Sequence, residues 1–400
     1  MSEPSLRDIR VLEVGNFMAA PFCTLQLADL GADVIKIENP DGGDQVRASG
    51  PFLEGESSSF IRLNRNKRSL ALDLKSAQGK EIFRKLARRA DVVVENLRPG
   101  TMRDLQLDYH RLAQINPRLI YLAATGWGQD GPYADLAGLD IVAQGMSGLM
   151  SITGEEAGRA PVKVGVPLTD LTCALYGAVA LLAALRARDR DGVGQFIDVS
   201  LFESGVSLAV WEAGRYFATG EVPRPLGSAH QTSAPYQALE AEDGYFTVGA
   251  TTARNWIAFC EALGLQALQD DPRFRSNHLR HQNQRVLIPL IEAVTTTRPT
   301  AHWVSALQAA GVPCGALQTY DQVFNDPHLK ARSFFVDAPH TKLGPVRQVA
   351  SPMRLSRTPA RISRAGPLLG EHSAEVLREL GHSPEEIRRL AEAKVIGVPA

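Results

Sequence analysis

Short apolar strands alternate with helices through the first half of this 400-residue chain. Strand patterns occur at residues 10–14, 33–38, 91–95 and 119–123, and a helical pattern runs from Ser76 to Arg89. Parallel strands require long crossover connections, which are usually helices, whereas antiparallel neighbours need only tight turns. The alternation therefore predicts a parallel, doubly wound sheet and an α/β fold.

The pattern changes after about Tyr216, which indicates a second domain. The turn-rich segment Pro223–Ser228 precedes a strand pattern at Gly244–Gly249, and amphipathic helical patterns follow it. We therefore predict a smaller α+β domain over residues 216–325, between a first domain at 1–215 and a C-terminal part at 326–400. A chain of this length is long enough for two domains with separate cores.

Composition restricts the environment and the partners of the chain. A net charge of −1 gives no sign of a nucleic-acid or anionic-membrane partner. The N-terminus lacks the apolar segment of a signal peptide, and the apolar run Leu171–Leu185 is shorter than the roughly 20 residues that span a bilayer. The cysteines are widely spaced without a CxxC pair, so we expect no disulfide, no metal site and a cytoplasmic location. They are Cys23, Cys173, Cys260 and Cys314.

The first strand–turn–helix unit lacks the glycines that bind dinucleotides. Its turn, residues 15–20, contains one glycine where the GxGxxG fingerprint needs three, and the chain has no GxxxxGK[ST] loop. We therefore expect no NAD, FAD or P-loop nucleotide site. Basic residues instead occupy several loops, where they either bind a ligand with several phosphates or are simply solvated. They are Arg47, Arg62, Arg65, Lys67, Arg68, Lys75, Arg98 and Arg103.

A single carboxylate stands at the head of the most apolar helix. Asp170 follows Pro167 and precedes the apolar run, so it is either a helix N-cap or a nucleophile near the positive end of the helix dipole. The local sequence by itself favours the cap, because aspartate is among the best N-capping residues. The chemistry of the chain depends on which role this side chain has.

Segments spread over nearly the whole chain, taken together, resemble the class III CoA-transferases, the CaiB/BaiF-type family of formyl-CoA transferase and carnitine CoA-transferase. Each segment is weak alone, but their order and spacing are specific. They are Ala20–Cys23, Leu27–Glu38, Gly43–Arg47, Asn64–Ser69, Leu72–Lys75, Glu95–Gly100, Gly126–Tyr133, Val164–Leu175, Gly194–Gln195 and Pro367–His372.

The resemblance implies a fold and an assembly that periodicity does not reveal. The large domain is expected to be Rossmann-like and built from both ends of the chain, with the small α+β domain inserted between them. The two subunits of a homodimer are expected to be interlocked like chain links.

The resemblance also implies a reaction and its nucleophile. Asp170 matches the family's aspartate, which attacks the donor acyl-CoA to give an acyl–aspartyl anhydride and then an aspartyl-CoA thioester. The acceptor acid takes the CoA by the reverse steps, so a coenzyme A thioester is a substrate and no permanently bound cofactor is expected. This context favours the nucleophile over the cap, because a carboxylate can act in covalent catalysis.

Further site residues carry over from the matching segments. Met18 stands where formyl-CoA transferase has a glutamine, and a thioether cannot donate an amide hydrogen bond, so formyl specificity is not expected. Gly227 lies in a loop that is expected to cover the intermediates, and His230 is either a substrate contact or a surface histidine. The expected CoA contacts are Met18, Ala19, Asn39, Leu72, Lys75, Asn96, Leu97, Arg98, Arg103, Ala137 and Asp140.

The acceptor is expected to be a small, dicarboxylic acid, and the donor succinyl-CoA or another short acyl-CoA. Arg47 either binds the distal carboxylate of the acceptor or forms a structural ion pair with Asp44 or another acid. An α-methylacyl-CoA racemase shares the aspartate, but its Gly-His-Asp histidine is replaced here by the leucine of Gly138–Asp140, which moves no proton. A non-catalytic CoA-binding protein is the remaining alternative, and it leaves the Asp170 segment unexplained.

Overall fold

The computed structural model describes residues 3–399, which form two compact units. The larger unit extends from the start of the described chain to Leu149, continues over Lys163–Ala213, and resumes at Pro327. The smaller unit comprises Met150–Val162 and Gly214–Asp326. Met150–Val162 thus lies in the smaller unit although the sequence pattern put it in the first domain. One reason is a backbone hydrogen bond of 2.9 Å from the Gly227 N–H to the Gly154 carbonyl.

The strands of the described chain fall into one large sheet and three small ones. They are β1 (Arg10–Val14), β2 (Asp33–Glu38), β3 (Phe52–Leu53), β4 (Glu56–Ser57), β5 (Arg68–Leu72), β6 (Val92–Glu95), β7 (Ile120–Thr125), β8 (Phe196–Ser200), β9 (Tyr236–Ala241), β10 (Gly244–Gly249), β11 (Cys314–Ala316), β12 (Phe335–His340), β13 (Gly344–Val349) and β14 (Ile396–Gly397).

Helices connect most of these strands, and a 3-10 helix spans Gln45–Ala48. The α-helices are α1 (Ala19–Asp29), α2 (Ser58–Leu63), α3 (Ala77–Ala87), α4 (Thr101–Asp104), α5 (Tyr109–Ile115), α6 (Asp140–Met146), α7 (Leu149–Ile152), α8 (Leu168–Asp191), α9 (Leu201–Ser207), α10 (Val210–Thr219), α11 (Ala253–Leu263), α12 (Ala267–Asp270), α13 (Asn277–Gln282), α14 (Gln284–Thr295), α15 (Thr300–Ala309), α16 (Tyr320–Asn325), α17 (Pro327–Ala331), α18 (Ser373–Glu379) and α19 (Pro384–Glu392).

The large sheet has the order β14-β5-β2-β1-β6-β7-β8, and all neighbours are parallel except β14 and β5. Numbered among themselves, the six parallel strands run 3-2-1-4-5-6, which is the Rossmann order. The predicted parallel, doubly wound sheet is therefore confirmed. Ligands of such sheets bind beyond the carboxyl ends of the strands where the winding reverses, here between β1 and β6.

Two apolar clusters cover the two faces of this sheet, because side chains alternate in direction along each strand. Leu122 on β7 belongs to the cluster of α1 and α8, whereas its neighbour Tyr121 belongs to the cluster of α3 and α5. The second cluster also contains Val376 of α18 and Ile387 of α19. Both ends of the chain therefore build the Rossmann-like unit, as the resemblance implied.

The smaller unit is an α+β structure with its own core. Strand β10 pairs antiparallel with β9 and with β11. Trp256 and Phe259 of α11, Ile291 of α14 and Leu307 of α15 pack against this sheet. Alternation along β10 buries Phe246 and Val248. Its core is therefore separate from the two clusters of the Rossmann-like unit.

Helix α8 is the longest helix of the described chain and extends beyond the apolar run that the sequence pattern marked. Within residues 3–399 it alone is long and apolar enough to cross a membrane, and 44% of its most apolar window is buried. Gly177 lets the helix lie close on the sheet, since a Cβ there would be 3.2 Å from a methyl of Leu122. The helix ends at Asp191 and is capped by Gly192, whose φ of 79° is left-handed.

Candidate active site

Asp170 lies in the first turn of α8, inside the helix. The N-cap position belongs to Pro167, which makes no side-chain capping hydrogen bond. The interpretation of Asp170 as the N-cap is therefore wrong. Its carboxylate lies near the positive end of the helix dipole but accepts no hydrogen bond from the free backbone N–H groups of the first turn.

Asp140 supplies the cap that Asp170 does not. Its Oδ1 accepts hydrogen bonds from the backbone N–H of Thr169 at 2.9 Å and from the Thr169 hydroxyl at 2.7 Å. Asp140 is the first residue of α6, so this carboxylate joins the beginnings of two helices. The residue that precedes Asp170 is consequently fixed from a neighbouring helix.

Gln144 fixes the approach to α8 from the same face of α6. It is fully buried and donates through Nε2 to Asp140 Oδ2 at 2.7 Å. Its Oε1 accepts from the backbone N–H of Val164 at 3.0 Å. Sequence reasoning did not identify Gln144. The signal was its spacing of four residues from Asp140, which places both side chains on one helix face.

The environment of Asp170 favours its neutral form. The side chain is partly buried, and it makes no ion pair or side-chain hydrogen bond within residues 3–399. Burial, and then the negative charge of Asp140, raise the pKa of Asp170 from 3.8 to about 7. A carboxylate with a pKa near neutrality is more basic than an ordinary aspartate, and such shifts are typical of functional acids.

Glycines allow the segments around Asp170 to approach one another closely. A Cβ on Gly205 of α9 would be 2.6 Å from the Ser147 hydroxyl and 3.0 Å from Thr169 Cγ2. A Cβ on Gly138, two residues before Asp140, would be 2.6 Å from the Gly126 Cα at the end of β7. Side chains at these glycines would displace the segments that carry Asp140 and Thr169.

The turn after β1 and the turn after β6 meet at the point where the winding of the sheet reverses. The Asn96 amide accepts from the Asn16 N–H at 2.9 Å and donates to the Asn16 carbonyl at 2.8 Å. This reciprocal pair fixes the turn that lacks the three glycines of a dinucleotide site. Met18 and Ala19 directly follow it, at the start of α1.

The other expected CoA contacts of the Rossmann-like unit follow its parallel strands. Leu72 ends β5 and Lys75 is three residues beyond it, while Asn39 directly follows β2. Leu97 and Arg98 follow β6, and they are the continuation of the Asn96 turn. Ala137 lies exposed in the connection from β7 to α6, and Arg103 lies on α4. The carboxyl edge of one sheet therefore carries residues that are far apart in sequence.

The structure separates the basic residues of the loops into two groups. Lys75, Arg98 and Arg103 are exposed, and their side chains make no ion pair within the described part of the chain. Most of the others are held by acids: Arg47 by Glu38, Arg65 by Asp29, Lys67 by Glu13, and Arg68 by Asp33, Glu375 and Glu379. Arg62 instead donates to Ser58. The first group therefore leaves its positive charge exposed and available to a ligand.

Arg47 forms the structural ion pair that the sequence left open, with Glu38 as its acid. Its Nε and Nη2 donate to the two oxygens of Glu38 at 2.7 and 2.8 Å, and its Nη1 donates to the Pro367 carbonyl at 3.1 Å. Burial would raise the pKa of Glu38, but the hydrogen bonds from Arg47 hold it below its usual value. The guanidinium also stacks 3.6 Å from the centre of the Phe60 ring. All three guanidinium nitrogens are thus engaged.

Gly227 and His230 belong to the smaller unit. Gly227 has a φ of 62°, a left-handed conformation that suits glycine. His230 Nδ1 accepts from the Thr232 N–H at 3.2 Å, and its ring lies 4.8 Å from the ring of Tyr236. Within residues 3–399, no cluster of three or more His, Cys, Asp or Glu side chains is placed to hold a metal ion.

Comparisons with known proteins agree over nearly the whole chain. The profile of CoA-transferase family III matches residues 6–373. A succinate–glutarate CoA-transferase of Agrobacterium fabrum is 39% identical over 396 residues, which cover 97% of this chain and 98% of that protein. A succinyl-CoA:glutarate CoA-transferase of Mus musculus is 37% identical, covering 94% of this chain and 86% of that protein. The crystal structure of a CAIB/BAIF family protein from Brucella suis has a TM-score of 0.85 and 37% identity, covering 95% of this chain and 100% of that one.

Proposed function

Because this chain belongs to CoA-transferase family III, we propose that it moves CoA from a short acyl-CoA to a small dicarboxylic acid, with Asp170 as the nucleophile. Succinyl-CoA is the proposed donor and glutarate the proposed acceptor. The Mus musculus relative described above carries succinyl-CoA and glutarate in its name, and the Agrobacterium fabrum relative carries succinate and glutarate. No permanently bound cofactor takes part in the proposed reaction.

The observation that carries the assignment of Asp170 is its position in the first turn of α8, where its side chain has no hydrogen bond or ion pair within residues 3–399. A structural aspartate at this place would cap the helix or pair with a cation, and Asp140 already provides the cap. An unpaired, partly buried carboxylate costs stability, which a functional role explains. Its raised pKa makes the ionised form a stronger nucleophile than an ordinary aspartate.

The proposed reaction proceeds through two covalent adducts of Asp170. The ionised carboxylate attacks the thioester carbonyl of the donor, and expulsion of the CoA thiolate leaves a mixed acyl–aspartyl anhydride. The thiolate then attacks the aspartyl carbonyl, which releases the donor acid and forms an aspartyl-CoA thioester. The acceptor carboxylate attacks this thioester and expels the CoA thiolate, which leaves a second anhydride. The thiolate then attacks the acceptor acyl carbonyl, which forms the product thioester and frees the Asp170 carboxylate.

Each intermediate keeps the energy of the starting thioester, so no nucleotide hydrolysis is needed. Water would waste that energy by hydrolysing the anhydride, and therefore the site must exclude it. The partly buried position of Asp170 supports this requirement. The partial positive charge at the beginning of α8 would stabilise the oxyanions that form during each attack.

Lys75, Arg98 and Arg103 are proposed to bind the phosphates of CoA. They are exposed cations without ion pairs in the described chain, and they lie beyond the carboxyl ends of β5 and β6. Several separate cations suit a ligand with several phosphates when a glycine-rich cradle is missing. The loop that contains Gly227 and His230 is proposed, from the resemblance alone, to cover the aspartyl intermediates.

A homodimer is also part of the proposal. Leu175, Tyr176, Val179 and Leu182 form one exposed apolar stripe on α8, where Val179 is 65% exposed. An uncovered stripe of this kind on a chain with a net charge of only −1 is typical of a surface that another protein covers. The interlocked form of the dimer remains a prediction from the resemblance.

The free thiols of all four cysteines support a cytoplasmic location.

The proposal is tested with purified wild-type protein, succinyl-CoA and glutarate, by chromatographic detection of glutaryl-CoA. Asp170→Ala and Asp170→Asn are expected to lose transfer by at least three orders of magnitude while still binding CoA. Asp189→Asn, at the exposed far end of the same helix, is the matched control and should transfer normally. Hydroxylamine should trap the wild-type intermediate as a mass change on the Asp170 peptide. Near-normal transfer by a folded Asp170→Ala protein would exclude the covalent mechanism.

A further inference from the structure

The turn between β1 and α1, residues Gly15–Met18, is held by side chains from three separate segments. Consecutive backbone groups each have a side-chain partner: the Gly15 carbonyl, both polar groups of Asn16, and the Phe17 N–H. The partners are Lys36 on β2, Asn96 after β6, and Asp44 before the 3-10 helix. Such complete engagement is unusual for a surface turn, whose backbone ordinarily binds water.

Lys36 and Asp44 form the buried part of this arrangement. Lys36 Nζ lies 2.8 Å from the Gly15 carbonyl and 2.8 Å from Asp44 Oδ2, and it also donates to Glu13 Oε1 at 2.6 Å. The side chains of Lys36, Asp44 and Glu13 are all 0% exposed. Burying ion pairs is costly and contributes little net stability compared with apolar packing. The cluster therefore requires a reason other than stability, and the turn that it holds provides one.

Phe17 shows how closely the turn is controlled. Its φ of 55° is in the left-handed region, which a residue with a bulky aromatic side chain rarely adopts. Asp44 Oδ1 accepts from the Phe17 N–H at 3.2 Å and from the Val46 N–H at 3.0 Å. Such backbone strain persists only where the surroundings over-determine it, and it is concentrated at functional sites.

The position of the turn in the sheet connects this geometry to ligand binding. It lies at the carboxyl end of β1, beside β6, where the winding of the sheet reverses. In dinucleotide folds, glycines shape the equivalent turn, but Gly15 is the only glycine here. Here, side-chain hydrogen bonds determine the shape of the turn, whereas in those folds the conformations of the glycines determine it.

We propose that Asp44 and Lys36 are positioning residues of the CoA site, which together with Asn96 hold the Gly15–Met18 turn in the shape that receives the acyl-CoA. This inference rests on the proposed function. Neither Asp44 nor Lys36 needs to touch the ligand, because both act through the backbone of the turn. Met18 and Ala19, the expected contacts, follow the held residues directly.

The test compares Asp44→Ala with Asp29→Ala as a matched control. Asp29 is also a buried aspartate, and its ion pair with Arg65 has an N–O distance of 2.6 Å, but it lies at the opposite end of α1. Each variant removes one buried ion pair, so both should lose stability, although Lys36 keeps Glu13 as a partner when Asp44 is replaced. Free coenzyme A affinity by calorimetry, KM and kcat for succinyl-CoA, and deuterium exchange of the 15–19 amides are measured for each.

Asp44→Ala is expected to weaken CoA binding and raise KM at least tenfold, with faster exchange in the turn and a smaller change in kcat. Asp29→Ala should bind CoA like the wild type. Asp44→Asn keeps an oxygen for the Phe17 N–H, so it should restore much of the affinity. If Asp44→Ala does not fold, Lys36→Met replaces it, because this variant removes the donor to the Gly15 carbonyl and should weaken CoA binding in the same way. Wild-type CoA affinity in Asp44→Ala, or in Lys36→Met where it is the replacement, would overturn the inference while leaving the proposed function intact. Wild-type protein that does not bind CoA would overturn both.

Discussion

The carboxylate of Asp140 caps the helix that carries Asp170, through a hydrogen bond of 2.9 Å from the Thr169 N–H. Two acids 30 positions apart in the sequence thus lie at the beginning of α8. Asp140 accepts from a backbone N–H of the first turn, whereas the side chain of Asp170 has no partner within residues 3–399. The negative charge of Asp140 opposes ionisation of Asp170, which adds to the effect of burial on its pKa. This relationship leads to two pH-dependent predictions.

The first prediction concerns the activity of Asp140→Asn. The wild-type kcat/KM should rise with pH through an inflection near 7, because the nucleophile must be ionised and its pKa is about 7. An asparagine at 140 can still accept from Thr169 but carries no charge, so the inflection should move to lower pH. A pH–rate profile for each protein measures this shift. An unchanged inflection in a folded variant would mean that Asp140 does not influence Asp170.

The second prediction concerns the stability of Asp170→Asn. Because the pKa of Asp170 is 3.8 when unperturbed and about 7 in the folded protein, the folded state binds the extra proton between these values. The free energy of unfolding of the wild type therefore falls as the pH rises from about 4 to about 7. Above about pH 7 the full cost of ionising Asp170 in the folded protein is present. Asp170→Asn should be more stable than wild type at pH 8, by roughly 2 kcal/mol after allowance for partial exposure.

Denaturant unfolding of both proteins at pH 8 and at pH 4 tests whether Asp170→Asn is the more stable one. The advantage of Asp170→Asn should become much smaller at pH 4, where the wild-type carboxyl is protonated in the folded state and partly protonated in the unfolded state, so that little of the ionisation penalty remains. A variant less stable than wild type at pH 8 would contradict the raised pKa.

The third prediction concerns Arg47→Met, which separates a structural from a substrate-binding role. Loss of the guanidinium leaves the buried Glu38 without its cation, which should cost about 3 kcal/mol of unfolding free energy. Because all three nitrogens of Arg47 are engaged within the protein, KM for glutarate and KM for valerate should change equally. A selective rise in KM for glutarate would show that Arg47 leaves Glu38 to bind the acceptor.

The fourth prediction concerns the exposed cations at the carboxyl edge of the sheet. Arg103→Met and Lys75→Met should each raise KM for succinyl-CoA roughly five- to fiftyfold, because each removes a charged contact to a phosphate. KM for the succinyl thioester of N-acetylcysteamine, which has no phosphate, should not change. Arg111→Met, a control that removes an exposed arginine paired with Asp108, should leave both values unaltered. Equal effects on both thioesters would place the cations outside the phosphate site.

The fifth prediction concerns the close packing around Thr169. Gly205→Val should lower transfer activity by an order of magnitude or more, because its side chain would collide with Ser147 and Thr169 and move the first turn of α8. Gly214→Val, at a helical glycine with no atom within 4 Å of an added Cβ, is the control. Activity assays are paired with thermal unfolding, and equal activity of the two folded variants would refute the packing argument.

The class of the fold and the identity of the candidate nucleophile could both be predicted from the amino-acid sequence. Apolar strands that alternate with helices allow little besides a parallel, doubly wound sheet, because parallel strands need long crossovers. The ordered segments around Asp170 and along the chain carried the family resemblance, which the comparisons confirm. Local sequence nevertheless gave a false cap interpretation of Asp170, because a capping acid can come from any segment that reaches the helix terminus.

Which basic side chains are held in ion pairs and which are exposed without one became clear from the three-dimensional contacts. Arg47 and Arg98 look alike in the sequence, but Arg47 is held by Glu38 and the side chain of Arg98 has no ion pair in the described chain. Likewise, no sequence pattern predicts that Asp140 accepts from Thr169, 29 residues away, or that Asp44 accepts from Phe17, 27 residues away. Hydrogen bonds and ion pairs act over a few ångströms of space, and the distance along the chain does not determine which groups come that close.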